Sequence, residues 1–325
     1  MNKSLSVIVP CFNEEEVISE TYKRIKAVLS KLELQSEIIF VNDGSNDKTE
    51  QLLNEFVGTD KNIKIISFSR NFGHQKAVTA GLNNCTSDMA VIIDADLQDP
   101  PEVIPDMIKT LIDSNAQVVY CVRKSRKGEG IFKKLSAKVF YRLLNFFSEV
   151  RLPVDTGDFR LIDKSIIREF NQMHEKGKYI RGLVSWIGFK QVPFYYEREA
   201  CFAGETKYPF SKMLKLATTS LLYFSTKPLK LATALGFFSV VFSLVLGVWS
   251  ILGKIMGYTH AGSGWTSLFV LIIFFGGVQL LTIGIVGAYI GNLFDEIKNR
   301  PEYIIEKKVN FEFREDEKSE DPKKF

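Results

Sequence analysis

The sequence has few of the residues that build disulfide frameworks or zinc sites. Its 325 residues include only four cysteines and three histidines. The cysteines lie far apart, without a Cys-x-x-Cys pair or a Cys/His metal spacing: Cys11, Cys85, Cys121 and Cys201. A disulfide-framed secreted domain and a zinc finger are therefore excluded, and the thiols are expected to be reduced in a cytosolic compartment.

A strong excess of one charge is also missing. The chain has 42 basic and 38 acidic residues and a net charge of +4, so no global field favours nucleic acid as a partner. The N-terminus has no charged segment followed by a long apolar run, and we expect no cleavable signal peptide.

Short apolar runs alternate with helical patterns through the first half of the chain. Runs typical of buried strands lie at 5–10, 37–41, 63–67, 89–93 and 117–122. Helices are predicted from a cap at Asn13 to about residue 32, at 48–56, 77–83 and 101–114, and from about residue 164, with a loop-rich segment around Trp186. This alternation predicts an α/β domain with a Rossmann-like, mostly parallel sheet.

Polar side chains follow four successive predicted strands, whose carboxyl ends meet at one edge of a parallel sheet. They are Asn13 and Glu14, Asp43, residues 73–76, and Asp94 with Asp96. An Asp-x-Asp pair offers hard oxygen ligands, suited to Mg²⁺ or Mn²⁺ on a diphosphate. Taken alone, such a pair is more often a solvated acidic turn, here before Pro100. Its place beside three other polar strand ends favours the metal and diphosphate.

Two long apolar stretches, 229–253 and 265–293, follow this domain. Each is long enough to cross a hydrocarbon core about 30 Å thick. Lysines and arginines flank the pair on its outer sides, whereas the connection 254–264 carries one lysine. The positive-inside rule then predicts a hairpin in the plasma (inner) membrane, with the α/β domain and both termini cytoplasmic. Gly284, Gly287 and Gly291 permit close helix approach, within the hairpin or between copies in a homo-oligomer.

The predicted domain boundaries follow from these patterns. The α/β domain covers 1–210, a juxtamembrane amphipathic helix 211–228, the two membrane helices 229–294, and a charged, partly disordered cytosolic tail 295–325. A basic amphipathic helix at 131–147 either packs on the core or lies at an anionic membrane surface.

Six ordered motifs resemble the GT-A-type inverting glycosyltransferases of family 2, and within them the polyisoprenyl-phosphate glycosyltransferases. That group includes dolichol-phosphate mannose synthases and bacterial bactoprenol glucosyltransferases. The motifs are Val7-Ile-Val-Pro-Cys-Phe-Asn-Glu-Glu15, Val41-Asn-Asp-Gly-Ser45, Arg70-Asn-Phe-Gly-His-Gln-Lys-Ala77, Asp94-Ala-Asp-Leu-Gln-Asp-Pro-Pro-Glu102, Asp155-Thr-Gly-Asp-Phe-Arg-Leu161 and Gly204-Glu-Thr-Lys-Tyr208.

The resemblance implies a metal-dependent hexosyltransferase of the cell envelope with a GT-A fold. It would transfer glucose from UDP-glucose, with inversion, to a polyprenyl (undecaprenyl) phosphate, giving the polyprenyl-phosphate sugar and UDP. UDP-N-acetylglucosamine and GDP-mannose are alternative donors. A membrane-anchored, non-catalytic nucleotide-sugar-binding partner is the alternative from another class.

The resemblance also implies roles for individual residues. Asp94 and Asp96 would hold Mg²⁺ or Mn²⁺, and Asp158 and Asp96 would be catalytic with support from Asp155. The nucleotide sugar would contact Pro10, Asn13, Glu14, Asp43, Lys76, Asp94 and Gln98. The acceptor phosphate would contact Arg123, Arg126, Arg160, Arg198 and Lys207. Two simpler readings stay open: Lys76 as a solvated lysine at a helix start, and the two aspartates of the fifth motif as turn residues paired with Arg160.

One position departs from the family pattern. Cys201 stands three residues before Gly204, where relatives carry an arginine. Either Arg198 or Lys207 supplies the missing charge, or the chain turns over slowly, or the cysteine is an introduced substitution. A processive transferase is disfavoured because the chain has no Gln-x-x-Arg-Trp signature, and a transporter because the spans lack internal charge.

Overall fold

The computed structural model describes residues 3–123, 156–198, 226–256 and 264–311, and these fall into two compact units. The first unit holds the described residues up to 198 together with 300–311. The second holds 226–256 and 264–299.

The first unit is an α/β domain built around one eight-stranded sheet. Its strands are β1 (Ser4–Cys11), β2 (Gln35–Asn42), β3 (Ile63–Phe68), β4 (Met89–Ile92), β5 (Val118–Arg123), β6 (Thr156–Asp163), β7 (Gln191–Tyr196) and β8 (Ile305–Val309). Its helices are α1 (Ile18–Leu29), α2 (Thr49–Thr59), α3 (His74–Asn83), α4 (Ile104–Asp113), α5 (Lys164–Asn171) and α6 (Ile180–Ile187), with a 3-10 turn at Pro101–Val103.

The strand order is β7-β5-β6-β4-β1-β2-β3-β8. The four central strands, β4-β1-β2-β3, are all parallel, because a helix follows each of β1, β2 and β3 and returns the chain to the same end. Strands β6 and β8 join antiparallel, on β4 and on β3. The predicted α/β class with a mostly parallel, Rossmann-like sheet is confirmed.

Burial of continuous apolar runs explains the central strands. The side chains of Val7, Ile8 and Val9 in β1 are fully buried, as are those of Ile39 and Phe40 in β2, which is typical of parallel strands covered on both faces. Among the helices, α1 turns Ile18, Tyr22, Ile25, Val28 and Leu29 toward the same core, the spacing of an amphipathic helix.

Five elements differ from the sequence prediction. Asn13 does not cap α1: its φ is +57°, the helix begins at Ile18, and a turn at residues 15–17 intervenes. The segment around Trp186 is helix α6 rather than a loop, and Gly188, with φ +80°, ends it. Residues 156–163 and 191–196 are strands that extend the sheet. Residues 305–309 of the predicted tail form β8.

The second unit consists of two long apolar helices, α7 (Lys227–Ile255) and α8 (Trp265–Ile297). Both are long and apolar enough to cross a membrane, over Lys227–Gly253 and Leu268–Ile297. They pack on each other, with the rings of Phe242 and Phe275 6.5 Å apart between centroids. The two predicted membrane helices are therefore present as helices, a few residues longer than expected. The amphipathic helices at 131–147 and 211–228 and the tail from residue 312 lie outside the described residues.

Close packing joins the loops that follow β2 and β3. Gly44 has φ +67°, and a Cβ atom placed on it would lie 2.4 Å from the backbone carbon of Arg70. Only glycine fits, because a side chain would meet both the unfavourable φ and rigid backbone.

Gly44→Ala should lower the unfolding free energy by about 2 kcal/mol, the combined cost of left-handed strain and a backbone shift. Gly58→Ala is the matched control: Gly58 lies in α2, with nothing within 4 Å of an added Cβ, so alanine there should be neutral or stabilise by roughly 0.5 kcal/mol. Thermal unfolding of the two purified variants checks this, and equal shifts would contradict the packing argument.

Candidate functional site

The site lies where the strand order reverses, between β1 and β4, at the carboxyl ends of both strands. In open α/β sheets this position forms the ligand crevice. Asp94 and Asp96 follow β4 directly, and Glu14 follows β1. Asp94 Oδ1 is buried and accepts no hydrogen bond from the residues that the structure describes, whereas Asp96 Oδ1 accepts one from the backbone of Gln98 at 3.1 Å.

Burial and neighbouring carboxylates raise the pKa values of Glu14 and Asp94. Burial, the charges of Asp96 and Asp94 and that of Asp47 raise the pKa of Glu14 to about 7. Burial, together with the charges of Asp158, Asp99 and Asp96, outweighs the nearby His74 and raises the pKa of Asp94 to about 6. Negative charge is therefore concentrated here beyond what the surrounding protein neutralises.

A second group of side chains surrounds Asp158, on β6 beside β4. The Arg181 guanidinium donates to both oxygens of the Asp158 carboxylate, at 2.8 and 3.3 Å, and Gln75 donates at 3.1 Å. His74 Nε2 lies 3.2 Å from Asp158 Oδ2 and 3.6 Å from Asp94 Oδ1, so the imidazole bridges the two acidic groups.

The cations decide the ionisation of this group. Burial alone would raise the pKa of Asp158, but Arg181 and His74 hold it well below its usual range. Burial would lower the pKa of His74, but the hydrogen bond to Asp158 and the charges of Asp94 and Asp158 raise it to about 9. Arg181 and His74 thus compensate the negative charge of Asp158. The charges of Asp94, Asp96 and Glu14 are less well compensated by the described residues.

Asp43 fixes the loop after β3. Its two carboxylate oxygens accept from the backbone N–H groups of Phe72, at 2.6 Å, and Gly73, at 2.9 Å. Burial raises the pKa of Asp43 against the opposing effect of these two bonds. Asp43 therefore shapes the loop that leads into α3, and its oxygens are already engaged.

The other predicted nucleotide-contacting residues lie at the same edge. Pro10 is buried in β1, and Gln98 is buried with Oε1 accepting no hydrogen bond. Asn13 is exposed and accepts from the backbone of Asn46 at 2.9 Å, which ties the loop after β1 to the loop after β2. Lys76 is half-buried, with Nζ 5.8 Å from the centre of the Phe72 ring. The structure brings these side chains together, and their contacts with a nucleotide stay a prediction.

Of the predicted phosphate-binding arginines, Arg198 lies beside Asp96, and the charge of Arg123 acts on the nearby Asp99. Arg198 Nη2 is 4.0 Å from Asp96 Oδ2, and its Nε is 3.7 Å from Asp99 Oδ1. Asp99 is itself buried and accepts a short hydrogen bond from Tyr196. The Nε atoms of Arg123 and Arg198 are buried without a hydrogen-bond acceptor among the described residues. Both guanidinium groups therefore keep donors for an anion.

Arg160 is placed differently from these two. It is 3% exposed and donates to the backbone carbonyls of Gly157, at 3.1 Å, and Asp158, at 3.3 Å. Burial lowers its pKa to about 10. This placement favours a structural role over contact with an acceptor phosphate, and Asp158 pairs with Arg181 rather than with Arg160 through its side chain. Asp155, Arg126, Cys201 and Lys207 lie outside the described residues.

The donor set fits a divalent cation only in part. Among the described residues no group of three or more Asp, Glu, His or Cys side chains is arranged to hold a metal. Mg²⁺, however, often takes one or two carboxylates and completes its shell with water and substrate phosphate. The buried Asp94 oxygen, which accepts no hydrogen bond from the described residues, and the raised pKa values of Asp94 and Glu14 agree with a site of that kind, for which Asp94 and Asp96 are the predicted carboxylates.

Residues 6–170 match the family described as Glycosyl transferase family 2. The chain belongs to glycosyl transferase family 2. It is 46% identical over 312 residues to the uncharacterized glycosyltransferase YkcC of Bacillus subtilis, covering 94% of each chain. It is 38% identical over 303 residues to the prophage bactoprenol glucosyl transferase homolog of Escherichia coli, covering 93% of this chain and 98% of that protein.

A solved structure of glucosyl-3-phosphoglycerate synthase from Mycobacterium tuberculosis, in complex with Mn²⁺, UDP-glucose and phosphoglyceric acid, is also similar. It is 19% identical, the match covers 68% of this chain and 78% of that one, and the TM-score is 0.45. A likeness at that level supports no inference about ligands.

Several side chains of this site have no assigned role in the sequence prediction. They are His74, Gln75, Arg181, Tyr196 and Asp99. His74 and Gln75 lie next to Lys76 in the motif from Arg70 to Ala77. This polar pair at the start of α3 is a usable signal for residues of the site. Arg181 gave none, because it meets Asp158 across 23 positions of sequence from a helix that had been predicted as a loop.

Asp158→Asn should lower the unfolding free energy by about 2–3 kcal/mol, because Arg181 and His74 lose the anion between them; their partial exposure reduces the cost of a fully buried pair. Glu169→Gln is the control, because Glu169 pairs with the exposed Arg168 and should change stability by less than about 0.5 kcal/mol. Thermal unfolding measures both variants. A shift for Asp158→Asn no larger than that of the control would show that the cations do not depend on it.

Proposed function

We propose that the chain transfers glucose from UDP-glucose to a polyprenyl phosphate at the cytoplasmic face of the membrane. The observation that supports it most is the less well compensated group of Asp94, Asp96 and Glu14 at the sheet's switch point, in a family 2 chain that continues into two helices of membrane-spanning length. The bactoprenol glucosyl transferase relatives, at 37–38% identity over most of the chain, support the acceptor class and the sugar.

The proposed reaction is a single displacement with inversion. A phosphate oxygen of the lipid attacks the anomeric carbon, the new carbon–oxygen bond forms as the bond to the diphosphate breaks, and the electron pair leaves with UDP. The attacking oxygen is already anionic near neutral pH, so no strong general base is needed. A low pKa for Asp158 agrees with that, because the residue is a poor base and serves better to orient Arg181 and His74.

Asp94 and Asp96 would hold Mg²⁺ or Mn²⁺, which when bound neutralises the charge on the departing diphosphate. Glu14, Asp43 and Asn13 would bind and orient the nucleotide from the loops after β1 and β2. Arg123 and Arg198 would bind the acceptor phosphate, since the Nε of each has no acceptor among the described residues and Arg198 lies next to Asp96 and Asp99.

The proposal includes an orientation in the membrane. The basic residues before α7 and after α8 favour a cytoplasmic α/β domain and tail. A nucleotide sugar and the phosphate of an inner-leaflet polyprenyl lipid would then be on the same side.

A donor screen tests the reaction. Purified full-length protein with undecaprenyl phosphate and Mg²⁺ or Mn²⁺ should release UDP from UDP-glucose in a lipid-dependent and EDTA-sensitive way. Greater turnover with UDP-N-acetylglucosamine or GDP-mannose would change the donor. Nucleotide-sugar binding without any lipid-dependent release would favour a non-catalytic binding partner.

Asp96→Asn should lower turnover by about 100-fold or more, because one of two metal-binding carboxylates is lost. Asp106→Asn, on the exposed face of α4, should leave turnover unchanged. UDP release at matched folded concentration measures both, and a wild-type rate for Asp96→Asn would refute the metal role.

Arg198→Lys should raise the KM for undecaprenyl phosphate by about 10-fold with little change in the KM for UDP-glucose, because lysine keeps the charge but loses the planar fork. Arg168→Lys, at an exposed position in α5, is the matched control. If the KM for the donor rises instead, Arg198 serves the nucleotide and not the acceptor.

A further inference from the structure

The segment Pro301–Val309, here called the strap, follows α8 in sequence but packs on the α/β domain. Its strand β8 pairs antiparallel with β3, with a register shift between Ser67 and Phe68. The ladder ends with the pair of Phe68 and Ile305, and strap residues 302–304, which precede it, contact the end of β3, the loop after β3 and Lys178 just before α6. Pairing with an edge strand accounts for β8, but not for these contacts at the site.

Tyr303 is linked by an aromatic stack to the loop after β3, on the side of the site where the nucleotide sugar is predicted to bind. Its ring lies parallel to that of Phe68, with centroids 4.9 Å apart, and Phe68 meets Phe72 edge-on at 5.7 Å. The Tyr303 hydroxyl accepts from Asn83, at the end of α3, at 2.9 Å. The next strap residue, Ile304, accepts from the backbone N–H of Ser69 at 3.1 Å.

The loop held in this way is the one that Asp43 binds. Phe72 donates its N–H to Asp43 at 2.6 Å, so its position is set by Asp43 on one side and by the ring of Phe68 on the other. Offset or edge-on ring pairs stabilise a structure beyond the area that they bury. The stack of Tyr303 on Phe68 and the edge-on contact of Phe68 with Phe72 therefore favour one position of this loop.

Glu302 reaches the other side of the site through an ion pair. Its carboxylate lies 3.2 Å from Lys178 Nζ, and the two side chains are 15% and 5% exposed. Lys178 comes just before α6. Two residues later the N–H of Ile180 donates to Gln75 at 3.0 Å, and Arg181 donates to Asp158. A nearly buried pair at this point helps to fix where α6 begins, because pulling two opposite charges apart inside the protein is costly.

We propose that Glu302 and Tyr303 are positioning residues of the transferase site. Through Tyr303 the strap holds the loop after β3, here called the donor loop. Through Glu302 and Lys178 it holds the side chains that surround Asp158. The inference rests on the proposed function for its substrates, although the contacts themselves do not. Neither residue touches the reacting atoms. Both act on groups that must be held to within a fraction of an ångström for transfer.

The first test is kinetic. Tyr303→Ala removes the stack and should raise the KM for UDP-glucose by about 10-fold with kcat changed less than threefold. Tyr303→Phe keeps the ring and should restore the wild-type KM. Lys307→Ala is the control within the strap, because the one contact described for the Lys307 side chain is an exposed hydrogen bond to Asn54. A merely structural role would lower the folded fraction and leave KM unchanged, and an unchanged KM for Tyr303→Ala overturns the proposal.

The second test does not depend on turnover. In full-length protein, Glu302→Gln should speed hydrogen exchange at least about 10-fold in peptides that cover 176–185, and Tyr303→Ala should do so in peptides that cover 69–76. The exchanged pair Lys178→Glu with Glu302→Lys should recover much of the protection at 176–185. Unchanged exchange in both regions overturns the proposal.

The two tests separate the proposals from each other. Should wild-type protein show no lipid-dependent UDP release, the proposed function fails, and hydrogen exchange alone then decides the role of the strap. Should wild-type protein turn over normally, the KM of Tyr303→Ala decides it.

Discussion

Charge compensation among the carboxylates at the ends of β1, β4 and β6 is the constraint on which the rest of the site depends. Asp158 has a cation on each side, Arg181 and His74, and is held ionised. Asp94 lies 3.6 Å from His74 and Asp96 lies 4.0 Å from Arg198, both longer contacts than those of Asp158, and burial and neighbouring carboxylates raise the pKa values of Asp94 and Glu14. Such an arrangement is costly without a ligand, because like charges in a partly buried site repel each other. The structure thus divides the site into a half whose charge Arg181 and His74 compensate and a half in which carboxylates lie close together with weaker compensation among the described residues.

The loops that carry these groups are fixed by one another and not only by the strands they follow. Asp43 uses its carboxylate on the backbone of the loop after β3, and Gly44 lets the same two loops approach to backbone contact. Asn13 joins the loop after β1 to the one after β2. These hydrogen bonds and the close backbone contact order the loops before a ligand binds. Less conformational entropy is therefore lost on binding.

The sequence was informative where local pattern decides structure. Runs such as Val7–Val9 and Met89–Ile92 are apolar on both faces, so their burial in a parallel sheet and the polar residues at their ends could be predicted. Pattern failed where distant contacts decide. Asn13 is of a residue type that often caps helices, but its side chain instead accepts a hydrogen bond from the backbone of Asn46. Helix α6 is too short to show a clear period, and Trp186 on it is 64% exposed. Strand β8 contains Glu306, Lys307 and Lys308, which resemble a solvated tail until β3 is placed beside them.

Strand β8 also shows what a charged sequence does at the edge of the sheet. It covers β3, and its own outer edge presents exposed charged side chains that discourage further strand pairing. Covering alone would need only the ladder from Ile305 to Val309. The residues just before it, Glu302 and Tyr303, instead use a nearly buried ion pair and a stacked ring, both of which cost desolvation or side-chain entropy. Because these two costs fall where the strap passes the donor loop and the start of α6, positioning of the site explains them better than closure of the sheet does.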